Sequence, residues 1–106
     1  MSDNFKVIYK ILKILESSMD YPEFDSSRLD AKNLGITQAK RDSLLTMMAK
    51  EGYIEGVEIT QYIGDAYPTV SLQGVKITIR GLEYLEENSL MKKASRLAKG
   101  IVDTIK

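Results

Sequence analysis

In the stretch Asn33-Leu34-Gly35-Ile36-Thr37-Gln38 a glycine and a threonine stand two positions apart, and together they punctuate the chain. Gly35 tolerates the left-handed turn with which a helix commonly stops. Thr37 offers a hydroxyl that can accept from the free backbone N–H groups at the start of a new helix. Upstream, Ser27-Arg28-Leu29-Asp30 has the form of a capping box and predicts a helix of barely two turns, stopped by Asn33-Leu34-Gly35. Downstream, a third helix is expected from Gln38 to about Glu51, with Leu44, Leu45 and Met48 on one face and Gly52 as its stop. The expected geometry is two helices meeting at a tight glycine turn.

Outward from that corner, Phe5, Val7, Ile8, Ile11, Leu12, Ile14 and Leu15 cover most of a helical wheel and leave a narrow stripe of Lys6, Lys10 and Lys13. A first helix with Ile8 and Leu12 at the centre of the core follows, capped by Asp3 or Asn4 and ended by Asp20-Tyr21-Pro22. Beyond Gly52, the runs Tyr53 to Tyr62 and Thr69 to Ile77 are rich in Val, Ile, Tyr and Thr and alternate in part, which predicts a hairpin turning through residues 63–68, with a bulge at Gly56. Thr78 caps an expected fourth helix with Leu82 and Leu85 inward, ending near Asn88. Ser89 then opens a last amphipathic helix with Met91, Ala94, Leu97 or Ala98, Ile101 and Ile105 at helical spacing among Lys92, Lys93, Arg96 and Lys99. The fold class is mainly α with a small antiparallel β-hairpin. Residues 1–106 form one domain, with a core in 1–88 and the amphipathic helix in 89–106.

Composition narrows the chemistry. The chain has 106 residues, 43% hydrophobic and 28% charged, enough for one modest core. It contains no cysteine and no histidine, which removes disulfides, thiolate zinc sites and the commonest general base. An enzyme is not expected, nor a metal, a cofactor or a small-molecule ligand. No apolar run approaches the roughly 20 residues that span a bilayer, and the start lacks the pattern of a signal peptide, so a cytoplasmic protein without membrane contact is expected. Fifteen Lys and Arg balance fifteen Asp and Glu, so no global field draws the chain to nucleic acid. The balance is local: residues 57–88 carry two bases against five acids, and residues 89–106 five against one.

The order helix, short helix, helix, two-stranded hairpin, helix is that of a winged helix-turn-helix, here with an extra C-terminal helix. Met47-Met48-Ala49-Lys50-Glu51-Gly52-Tyr53-Ile54 resembles the junction where the third helix of such domains passes into the first wing strand. Ile77-Thr78-Ile79-Arg80-Gly81-Leu82-Glu83-Tyr84-Leu85 resembles the exit from the second. More narrowly, the chain is similar over nearly its whole length to the small bacterial YjcQ-like family, through Gly35-Ile36-Thr37, Glu51-Gly52-Tyr53-Ile54 with Gly56-Val57, and the basic last helix. That resemblance implies a fold and no assigned activity.

For a DNA-binding winged helix the third helix enters the major groove and the wing grips phosphate. The expected partner is double-stranded DNA, and the expected contacts are Gln38, Lys40, Arg41, Ser43, Thr46 and Lys50, on a face that also holds Ala39 and Asp42. Arg41 starts on the core side and must snorkel outward to take part. The alternative is an ordinary solvated face. Against DNA stands the wing, where no Lys or Arg occurs from Glu51 through Val75 while Glu51, Glu55, Glu58 and Asp65 do. Tyr62, Ile63 and Tyr67 near its tip are expected to fold back onto the sheet, with a protein contact as the alternative. The lysine stripes of the first and last helices either hold phosphate or keep the protein soluble. The apolar face of the last helix (Met91, Ala94, Leu97, Ile101, Ile105) is expected to pair in a homodimer or pack on the first helix. The function expected is DNA binding, as in a small transcriptional regulator, and the alternative is a winged-helix protein-interaction module without DNA contact.

Overall fold

In the computed structural model of the chain, residues 3–89 are described. The expected helix carrying Met91, Ala94, Leu97, Ile101 and Ile105 lies outside them. Helix α1, Asp3–Ser18, buries Ile11, Leu12 and Leu15 completely or nearly so, while Ile8 is only half-buried, so the core centre sits one turn further along than the apolar run implies. Asp3 and Asn4 fall within the first turn rather than ahead of it, where the Asp3 carboxylate complements the helix dipole. The helix stops at Ser18, whose hydroxyl donates to the Leu15 carbonyl at 2.7 Å, well before Pro22.

The expected second helix divides in two. A 3-10 turn covers Ser26–Leu29 and α2 covers Ala31–Leu34, separated by Asp30 in an extended conformation. Asp25, not Ser27, is the first cap: its carboxylate accepts from the Ser27 backbone N–H at 3.0 Å and from the Ser27 hydroxyl at 2.7 Å. The hydroxyl bond, then the backbone bond, hold the Asp25 carboxyl below its ordinary value. Four residues are far fewer than the roughly 12 to 15 an isolated helix needs, so tertiary burial keeps α2 in place. Leu29 and Leu34 are both buried, each contributing about 1.5 to 3 kcal/mol. The corner is as expected, with Gly35 at φ 71° and the Ile36 N–H returning to the Ala31 carbonyl at 3.0 Å.

Helix α3, Gln38–Lys50, starts on the Thr37 cap, whose hydroxyl accepts from the Lys40 N–H at 3.1 Å. The two long strands expected after Gly52 are four short ones. Strand β1 (Ile54–Glu55) pairs antiparallel with β4 (Lys76–Ile77), and β2 (Glu58–Thr60) with β3 (Thr69–Ser71). The register is Ile54 opposite Ile77 in the first ladder and Ile59 opposite Val70 in the second. Only Gly56 and Val57 separate the ladders on the way out, whereas Leu72 to Val75 intervene on the return, looped so that the Val75 N–H meets the Leu72 carbonyl at 3.2 Å. This asymmetry breaks the ladder at the expected bulge. Gly56 has φ 79°, and a Cβ there would lie 1.8 Å from the Gly74 carbonyl oxygen, so the two backbones meet where any side chain would collide.

Thr78 joins the pieces. Its N–H donates to the Tyr53 carbonyl at 3.2 Å, its hydroxyl donates to the Gly52 carbonyl, and the same oxygen accepts from the Gly81 N–H at 3.1 Å, capping α4, residues 79–89. The helix reaches Ser89, the last described residue, with the Asn88 side-chain amide donating to the Tyr84 carbonyl at 2.8 Å. Leu85 joins Ile11, Leu12, Leu15, Leu45, Met48, Ile54 and Ile77 in one core. The described chain is mainly helical with a small antiparallel sheet of short strands.

Candidate nucleic-acid interface

The inward face of α3 is Arg41, Leu44, Leu45 and Met48, all buried. At 3.6 residues per turn the opposite face centres on Ala39, Ser43 and Lys50, with Thr46 and Gln38 to one side and Lys40 to the other. Ala39, Lys40, Ser43 and Lys50 are exposed as the sequence implies. Gln38 is exposed but tied down, its amide donating to the Asp42 carboxylate at 3.0 Å. Thr46 is half-buried, and its hydroxyl donates to its own helix at the Asp42 carbonyl, 2.8 Å away. Met47, absent from the expected set, is 49% exposed on the same side of the helix as Lys40, two turns further along. Its helical angle alone could have identified it.

Arg41 does not snorkel outward. It is 8% exposed; its Nε donates to the Leu29 carbonyl at 3.0 Å and an Nη to the Asp42 carboxylate at 2.8 Å. The cause is the break at Asp30, which leaves the Leu29 carbonyl facing α3 without a helical donor of its own. An arginine at the first turn of α3 supplies that donor, and Asp42 balances its charge. Arg41 therefore fixes the angle between the two halves of the corner and faces away from any groove that α3 could enter.

The base of the β2–β3 arm leans on α3 through β3. The acids foreseen from the sequence are all exposed, but only Glu58 and Asp65 stand on the arm, since Glu51 caps the end of α3 and Glu55, in β1, lies opposite Lys76. Its tip differs from expectation: Tyr62 and Tyr67 are 70% and 80% exposed and Ile63 fully so, and none of them folds back. Val57 and Val70 at the base use up the contact between arm and core, and the turn beyond is closed on itself. There the Asp65 carboxylate accepts from the Tyr62 N–H at 3.1 Å and the Gln61 amide donates to the Asp65 carbonyl at 3.3 Å. A tight turn past the last core residue has no apolar layer within reach.

On another side of β1, Arg80 lies over the Tyr53 ring, 5.5 Å from its centre, and Tyr84 packs against Tyr53 at 5.1 Å between centres. With Glu83 and Glu87 they line an open hollow of about 340 Å³. Burial, reinforced by Tyr53, holds the Tyr84 hydroxyl above its ordinary value. A second hollow of about 800 Å³ runs between the end of α1 and the β4 side of the sheet, past Leu15, Met19, Phe24, Val75 and Ile77. Among the described residues no group of three or more acids is placed to hold a metal, and no helix is long and apolar enough to cross a membrane.

A family model described as YjcQ protein matches residues 9–104. The chain is also similar to the protein called Uncharacterized protein YjcQ of Bacillus subtilis (strain 168), 33% identical over 102 residues that make up 95% of this chain and 96% of that one. No solved structure matches the chain.

Proposed function

This chain belongs to the YjcQ family, and we propose that it is a cytoplasmic winged-helix protein that binds duplex DNA through α3. One observation carries the proposal: α3 follows a glycine corner and presents a shallow outward face of Ala39 and Ser43 with Lys40 and Lys50 exposed beside them. Small residues let a helix approach base edges, and phosphate contacts would fall to Lys40 on the flank of that face and Lys50 at its C-terminal end. Gln38 and Thr46 complete the polar set once their present hydrogen bonds are exchanged for contacts to DNA. Arg41 acts from behind, as the residue that holds the corner. The β2–β3 arm corresponds to the wing in this arrangement. No catalysis, metal or cofactor belongs to the proposal.

Two exposed lysines on α3 support few phosphate contacts, so binding is expected to be modest and strongly dependent on salt. The test is fluorescence anisotropy with labelled duplex DNA over a range of ionic strengths. Each phosphate contact contributes about 0.9 to the slope of log affinity against log salt, so Lys40→Ala and Lys50→Ala should each flatten it by about that much and weaken binding to all sequences alike. Undetectable salt-sensitive binding at low ionic strength would sink the DNA proposal. The second interpretation, a protein-interaction module, would then remain, and one observation favours it: the acidic arm with its uncovered apolar tip.

A further inference from the structure

The short ladder of β1 and β4 leaves one strand edge open. Among the described residues β4 has a single neighbour, β1, and its other edge borders the hollow of about 800 Å³ beside the end of α1. Bonded and non-bonded pairs alternate along an antiparallel ladder. The Thr78 N–H bonds the Tyr53 carbonyl, so the next pair, Ile54 opposite Ile77, is of the non-bonded kind. Both main-chain groups of Ile77 therefore turn away from β1 toward the open edge. Neither has a hydrogen-bond partner among the described residues, although Ile77 is buried. Buried N–H and C=O groups are nearly always paired. Here they border the hollow instead.

The rest of the hollow suits a peptide chain. Leu15 and Met19 at the end of α1, Phe24 from the loop that follows and Val75 give it apolar walls, and Met19 is 59% exposed. Two charged residues line it. Lys76 lies opposite Glu55 in the ladder, whereas Glu23 is exposed, takes part in no ion pair and has another acid, Asp20, three residues before it. The uncompensated charge is negative. We propose that the open edge of β4 and this hollow dock an extended segment of a partner protein, with alternate apolar side chains and a basic residue, which adds to the ladder as a third strand. Ile77 supplies that strand with one donor and one acceptor, the walls take the apolar side chains, and the base meets Glu23. No lining residue belongs to α3, so the inference does not rest on DNA binding.

The test uses the full chain, isotopically labelled for NMR, with the capped peptide acetyl-Lys-Val-Ile-Val-Thr-amide as probe. Titration should move the amide resonances of Val75, Lys76 and Ile77 and of Met19 and Phe24, and the Ile77 amide should gain protection from hydrogen exchange. Two analogues, N-methylated on alternate residues, separate main-chain pairing from simple apolar contact, because one set of N–H groups faces β4 and the other faces away. Methylating the facing set should weaken binding about tenfold or more, as for a stranded buried hydrogen-bonding group. Methylating the other set should leave it unchanged. Replacing the peptide's lysine by glutamate should weaken binding, and Glu23→Lys, at an exposed position, should reverse that preference. The proposal is overturned if no resonance moves at millimolar peptide, if the two methylated analogues bind alike, or if Glu23→Lys leaves the preference unchanged. An Ile77 amide already protected in the chain alone overturns it too, whether its cover is another part of the chain or a second copy.

Discussion

The guanidinium of Arg41 is buried and bonded in two directions, its Nε on a backbone carbonyl of the preceding turn and one Nη on the Asp42 carboxylate. Truncation to Ala strands the Leu29 carbonyl and leaves Asp42 without its cation, which is expected to cost about 1 to 3 kcal/mol in chemical denaturation. Arg41→Lys should recover only part of this, because an ammonium cannot reproduce the two-directional fork. A loss below about 0.5 kcal/mol, the range of ordinary surface substitutions, would show that the corner is held by packing alone. A helical wheel does place Arg41 correctly on the core side of α3. It gives an angle and no partner, and the partner here is a carbonyl twelve residues earlier, freed by the break at Asp30. The same limit applies in α1, where the apolar run is continuous and the depth of each residue depends on what lies opposite. Leu12→Ala should cost about 2 to 5 kcal/mol and Ile8→Ala distinctly less, since Leu12 is fully enclosed and Ile8 half so. Equal losses would move the core centre back toward the N-terminus.

Elements whose limits are set within a few residues could be read from the chain alone. Gly35 with Thr37, the stop at Gly52 and the Thr78 cap each act through local hydrogen bonds, and all are found where the residue types place them. Elements set by competition could not. Ser27 has the right neighbours for a capping box, yet the Asp25 carboxylate takes both its backbone N–H and its hydroxyl, and the Asp30 N–H goes to the Ser27 carbonyl instead. The hairpin is divided because the return strand holds a turn from Leu72 to Val75, which alternation does not reveal, and the tip stands free because the core ends at Val57 and Val70. Gly56 is the hinge of this construction. Gly56→Ala places a methyl against the Gly74 carbonyl and forces a positive φ on a residue that resists it. The backbone conformation alone costs about 1 to 2 kcal/mol, and the collision requires the ladders to separate besides. Amide hydrogen exchange should therefore show β2 and β3 losing protection while α1 keeps its own. Unchanged protection across the arm would mean that the two strands can slide past the added methyl.

At the scale of the whole molecule the deciding quantity is where charge lies, because the total is zero. The exposed lysines of α3 stand beside an arm whose carboxylates repel the phosphates that those lysines would attract. Its base touches α3 through β3, but the reach of its charges is set by salt, since screening acts over about 10 Å at 0.1 M. The paired substitution Glu58→Lys and Asp65→Lys reverses two exposed charges without touching the core. If α3 lies in a groove with the arm along the backbone, DNA binding by this variant should tighten at low salt and its salt slope should steepen by up to about 0.9 for each new phosphate contact. Unchanged DNA binding would leave α3 to act without the arm, whose charges then serve only to keep it solvated.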